Sequence, residues 1–182
     1  MAFIRIESRW YLWFKFLFSL AFLFISMGYI KTGMEGFVKQ TDLSFFEHYP
    51  MIIFLLLGII LTAIVQSSSV IIALVLSALY SHAITLYVGT AIVLGSEIGT
   101  SLKLFLPAAG GQPGKKRVAL GNFLFNLVTV IVMYFLLWPV NQFITEVLQV
   151  KNNLIALVLF QTLVNICCIL LFLPFLKLLG KF

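Results

Sequence analysis

Charge is what this chain has least of. Only 10% of its 182 residues are Asp, Glu, Lys or Arg, against about a quarter in a soluble domain. Histidine and cysteine are scarcer still, with two of each. Cys167 and Cys168 are adjacent within an apolar run, which excludes an ordinary disulfide between them. No His is spaced to join them, so a metal site of that kind is not expected. Enzyme chemistry is not expected either. Three serines stand in a row at 67–69, but His48 and His82 lie at segment ends and no Gly-x-Ser-x-Gly turn presents a nucleophile. The net charge of +6 does not indicate nucleic acid, because the basic residues gather at the ends of apolar segments, where they orient a chain in a bilayer.

What fills the chain instead is hydrocarbon. It is 62% hydrophobic, holds 19 Phe, and has a mean hydropathy of +1.13. These values predict an all-α polytopic membrane protein embedded in a lipid bilayer. A first span is read at 10–30, with Trp10, Tyr11 and Trp13 as an interfacial belt. This run is too long for a cleaved signal peptide and is expected to be retained. Residues 31–50 form a polar connector, 51–80 an apolar run broken by Gln66-Ser67-Ser68-Ser69, and 83–106 a second run broken at Gly95–Ser101. A basic loop follows at 107–117, then spans at 118–140 and 154–179, joined by a short polar connector. Asn122 and Asn126 in one of these spans, and Gln161 and Asn165 in the other, repeat an amide pair at the spacing of one helical face.

The first break raises a geometric question. At about 1.5 Å per residue, Met51–Val65 reaches about 22 Å and Val70–Tyr80 about 16 Å, while a bilayer core is roughly 30 Å thick. Neither piece spans alone. Together they are one long helix or a re-entrant hairpin that turns at the polar residues. A hairpin puts Arg5, Arg9, Lys15, Lys115, Lys116, Arg117, Lys177 and Lys181 on the cytoplasmic side and only Lys31, Lys39 and Lys151 outside. A full crossing gives a more even split, so the positive-inside rule favours the hairpin, with both termini cytoplasmic. An unwound turn at membrane depth lines a cavity or is buried in protein, and hydroxyls and an amide there suit an ion or oxyanion. The plainer reading is that Gln66 and the serines merely join helices.

In the second break, Gly95 and Gly99 permit unwinding, with Ser96, Thr100 and Ser101 beside them. Glu97 is an ionisable group in a membrane segment and so a functional candidate. Its plainer alternative is an ion pair with Lys103.

The ordered set "TAIVQSSS", "GSEIGTS", a basic loop and "RVALGNFLFNL" resembles one repeat of the sodium/phosphate cotransporter family. In that family a QSSS hairpin is followed by a motif G-[AS]-N-I-G-T-[TS] and an A-x-x-x-x-x-F-N segment. The resemblance implies one half of an inverted-repeat transporter that moves phosphate, or a related oxyanion, with sodium as coupling ion and no other cofactor. It implies substrate or ion contacts from Gln66, Ser67, Ser68, Ser69, Gly95, Ser96, Glu97, Gly99, Thr100, Ser101 and Asn126. Glu97, Ser69 and Thr100 are the candidate sodium ligands. Glu97 departs from the family's Asn, and this chain carries a single QSSS where the family has two. A homodimer or a second half is therefore the expected partner, in a bacterial plasma or inner membrane. The alternatives are a non-transporting assembly or regulatory subunit with the same fold, and a cation path through Glu97.

Overall fold

The computed structural model of the chain describes residues 9–40, 49–108, 110 and 113–175. Among these residues every regular element is helical: α1 Arg9–Gln40, α2 Met51–Val65, α3 Ser68–Tyr80, α4 Leu86–Ala108, α5 Pro113–Phe135, α6 Leu137–Gln142 and α7 Asn153–Phe172. Four stretches are long and apolar enough to cross a membrane: Trp10–Ile30, Leu86–Phe105, Pro113–Phe135 and Asn153–Phe172. With 15 and 13 residues, α2 and α3 fall short of that length.

α4 is the centre of the molecule. It packs against α2, α3, α5, α6 and α7, and Ala91, Val93, Leu94 and Ser96 are fully buried within it. Leu157 and Phe160 of α7 and Ile71 of α3 complete this core. α1 lies against α3 and exposes apolar side chains between Trp10 and Tyr29, as a helix facing lipid does.

In a bilayer, lipid tails are as apolar as leucine, so helices associate through close packing and small residues. α2 and α4 show this directly. A Cβ on Gly58 would overlap the carbonyl of Ile92, three residues before Gly95, and a Cβ on Gly95 would overlap the carbonyl of Leu55, three residues before Gly58. Since Cα–Cβ bonds tilt toward the helix N-terminus, this reciprocity means that α2 and α4 run in the same direction. One turn on, Gly99 abuts Thr62, and one turn further Lys103 reaches Gln66. The pairs Gly58–Gly95, Thr62–Gly99 and Gln66–Lys103 keep one offset of 37 residues.

α3 connects the end of α2 to the start of α4. Its last turns meet that start, where Gly89 lies against Val75 and Leu79. The turn after α3 is held by Ala83 N–H to the Ala78 carbonyl at 2.8 Å, with His82 in the left-handed region at φ 57°. α7 begins where Asn152 caps it, its Oδ1 accepting from Leu154 N–H at 2.9 Å.

Several segment readings are corrected. The expected break at Gly95–Ser101 is absent: α4 is continuous from Leu86 to Ala108. Its glycines bring α2 into backbone contact, and its hydroxyls donate to its own carbonyls, so nothing unwinds it. The connector at 31–50 begins inside α1, which runs to Gln40, while 41–48 lie outside the described residues. Helix α5 starts at Pro113, within the stretch read as a basic loop; proline suits a first helical turn because its missing N–H has no acceptor there. The polar connector after 140 is helical at first. α6 carries Asn141, and a π-helical turn follows at Phe143–Val147. Asn141 is fully buried and donates from Nδ2 to the Leu137 carbonyl at 2.8 Å and to Thr90 Oγ1 at 3.0 Å.

Candidate functional site at the helix break

Gln66 ends α2 in the left-handed conformation, φ 57° and ψ 25°, with its N–H on the Thr62 carbonyl at 2.7 Å. Ser67 is extended at φ −149° and ψ 109°, and it starts α3 without a capping bond from its hydroxyl. The chain is therefore interrupted at two residues only. The interruption leaves two ends facing one place. The last carbonyls of α2 carry partial negative charge, and the first N–H groups of α3, at Ser68 and Ser69, carry partial positive charge without helical acceptors. Gln66 and Ser69 are exposed here, and Ser67 and Ser68 half-buried. A charged group touches the break: Lys103, whose Nζ donates to the Gln66 carbonyl at 3.2 Å.

The residues of α4 expected at the site divide by face. Gly95 and Gly99 lie against α2. Ser96 and Ser101 are fully buried, and their hydroxyls donate to the carbonyls of Val93 and Ile98, each at 2.6 Å. Thr100 donates to the Ser96 carbonyl at 2.9 Å. Glu97, two residues from either glycine and so roughly 200° around the helix from each, accepts a hydrogen bond from Gln161 Nε2 of α7. The expected alternative of a Glu97–Lys103 ion pair is not formed, since Lys103 is held by Gln66 and Glu97 by Gln161. Asn126 sits half-buried on α5, and no hydrogen bond among the described residues ties it to the break.

Thr62 is a participant with almost no signal of its own in the sequence, and Gln161 and Lys103 take partners that the sequence does not indicate. Thr62 is fully buried one turn before Gln66, and its Oγ1 has no hydrogen-bond partner among the described residues. Its place four residues ahead of Gln66 is the only signal for it in the sequence. Gln161 was visible only as part of an amide pair, and its Oε1 is buried and likewise unpartnered among the described residues. Lys103 read as a possible partner for Glu97 rather than for the break.

Comparison with known proteins places the chain in a family. The family model described as Na+/Pi-cotransporter matches residues 43–172. The chain is 34% identical over 145 residues to an uncharacterized protein, YqeW, of Bacillus subtilis (strain 168), a match that covers 80% of this chain and 44% of that protein. The chain thus spans less than half the length of that relative. No solved structure matches the chain. With four helices of membrane-crossing length and a family match from α2 through α7, this integral membrane protein belongs to the Na+/Pi-cotransporter family.

Proposed function

We propose that the chain is one half of a sodium-coupled secondary transporter for phosphate or a related oxyanion, with the break at Gln66–Ser69 as the place where the anion binds. The observation that carries this reading is the offset of 37 residues between α2 and α4. It sets the break beside the α4 segment that holds Thr100, Ser101 and Lys103. The N–H groups at the start of α3 and the hydroxyls of Ser67, Ser68 and Ser69 supply donors for oxyanion oxygens. The α2 carbonyls just before Gln66 and the lone pairs of Thr100 suit a sodium ion. Gln66 adds an amide able to serve either.

In this reading 51–80 is a re-entrant hairpin. Two features support it: α2 and α4 run parallel with short connections to α3, so α3 must return, and neither α2 nor α3 has the length to cross. The termini are then cytoplasmic and the membrane is the cell's plasma membrane. A second copy or a second half supplies the other wall of the pathway, because the chain covers under half of its relative.

The test is phosphate uptake into liposomes containing the purified chain. Uptake should rise with an inward sodium gradient and fall when Gln66 or Ser68 is replaced by Ala. Uptake indifferent to the gradient and to both substitutions would overturn the proposal.

A further inference from the structure

The group at the break that the binding scheme above does not use is the Lys103 ammonium. Its position is set by the fold. Lys103 stands on α4 at the level of Gln66, in the register that Gly58–Gly95 and Thr62–Gly99 fix below it. Its Nζ donates to the carbonyl of Gln66, the left-handed residue where α2 stops. That carbonyl belongs to the negative end of the α2 dipole, where a cation is favoured. Broken membrane helices present such carbonyls to coupling cations. Here a cation attached to the protein already holds the oxygen.

We infer that Lys103 is a tethered counter-cation at the break, standing where a free alkali cation would otherwise be coordinated by the Gln66 carbonyl. The inference rests on the reading of the break as an oxyanion site and adds to it the origin of the positive charge. The serines carry no formal charge, and Glu97 is engaged with Gln161 six residues earlier on α4, about 9 Å down the axis. Lys103 is thus a formal charge in direct contact with the break. It also lines a cavity of about 430 Å³ between the end of α4 and the start of α5, with Leu104, Ala108, Val118 and a second ammonium, Lys115.

A strongly hydrated ammonium on a long stem could simply snorkel toward the membrane surface. The two roles differ in what sodium does when the ammonium is removed. Lys103→Met keeps the stem and deletes the charge, and Lys103→Arg keeps a charge. With purified protein in detergent, phosphate binding is measured against sodium at constant ionic strength, with choline as the replacement cation. The expected result is that Lys103→Met binds phosphate at least tenfold more weakly in choline and regains most of that affinity in high sodium. Its sodium dependence becomes steeper than that of the wild type, and Lys103→Arg stays close to the wild type. Equal sodium dependence in Lys103→Met and wild type, or a loss that sodium does not restore, overturns the inference.

If the wild type binds no phosphate under any condition, the reading of the break as a phosphate site fails, and thermal melts then decide the role of Lys103. Sodium or methylammonium, but not choline, should raise the melting temperature of Lys103→Met more than that of the wild type. No cation-specific rise in Lys103→Met would sink the inference by that route as well.

Discussion

Gly58 and Gly95 meet across the α2–α4 contact so closely that neither tolerates a methyl group: each Cβ would overlap a backbone carbonyl of the opposite helix. Backbone cannot yield as a side-chain tip can. Gly95→Ala is therefore expected to destabilise the fold by about 1–3 kcal/mol, the usual cost of overpacking. Gly121→Ala is the control, since a Cβ there meets nothing within 4 Å. Melting of the two variants in one detergent checks this, and equal melting temperatures would refute the tight contact.

The bond from Gln161 Nε2 to Glu97 joins α7 to α4 in a half-buried position. Gln161→Leu should cost roughly 1–3 kcal/mol by leaving the carboxyl without that donor. Glu97→Gln keeps an acceptor oxygen and should cost less. A double-mutant cycle between the two positions measures the coupling; a coupling of zero would mean the pair contributes nothing to helix association.

Asn141 offers a second such test. Asn141→Leu removes the bonds to Thr90 Oγ1 and the Leu137 carbonyl and should cost about 1–2 kcal/mol. Thr90→Val keeps the bond to Leu137 and loses, besides the Asn141 bond, only a local donation to the Tyr87 carbonyl of its own helix, so it should cost less. Equal losses from the two substitutions would assign the effect to packing rather than to hydrogen bonding.

The serines are tested by binding. Ser68→Ala should weaken phosphate binding about ten- to a hundredfold, in keeping with roughly 1–3 kcal/mol for a desolvated polar contact. Its melting temperature should barely change, because the Ser68 hydroxyl holds no other part of the protein among the described residues. Unaltered binding in both Ser68→Ala and Gln66→Ala would reduce the polar break to a helix joint.

Membrane sidedness is read by labelling. In a background with Cys167 and Cys168 replaced, single cysteines at Tyr49 and Thr85, both exposed and flanking α2–α3, should react with an impermeant reagent from the same face. Reaction from opposite faces would remove the re-entrant hairpin.

The sequence reveals some of these features and hides others, for physical reasons. The break at 66–67 is legible because an amide and three consecutive hydroxyls are costly on a helix wrapped in lipid, whereas a turn at that depth lines a cavity or is buried in protein. The start of α7 is legible where the polar connector gives way to the apolar run from Leu154. The continuity of α4 is not. Gly95, Ser96, Gly99 and Thr100 serve equally for unwinding and for close approach, and only the presence of α2 decides. Asn141 is hidden for a similar reason. An asparagine after Trp138-Pro139 reads as surface, yet Pro139 falls in the first turn of α6, where it is tolerated, and Thr90 satisfies the amide. The partner of Lys103 depends on register between helices distant in sequence, which no local pattern encodes.

The parallel contact of α2 with α4 has a mechanical consequence. Backbone touching backbone through Gly58, Gly95 and Gly99 makes the two helices a single stiff strut. α3 is fastened to this strut at both ends, by Gln66–Ser67 above and by the turn at His82 below. A rod pinned at two points can roll about its own axis or bow outward, but it cannot swing free. Rolling α3 would turn Ser68 and Ser69 from one side of the strut to the other while Lys103 stays still. Strain in such a roll falls on two left-handed residues, Gln66 and His82, and any device that opens the break to one side and then the other has to work through those two pivots.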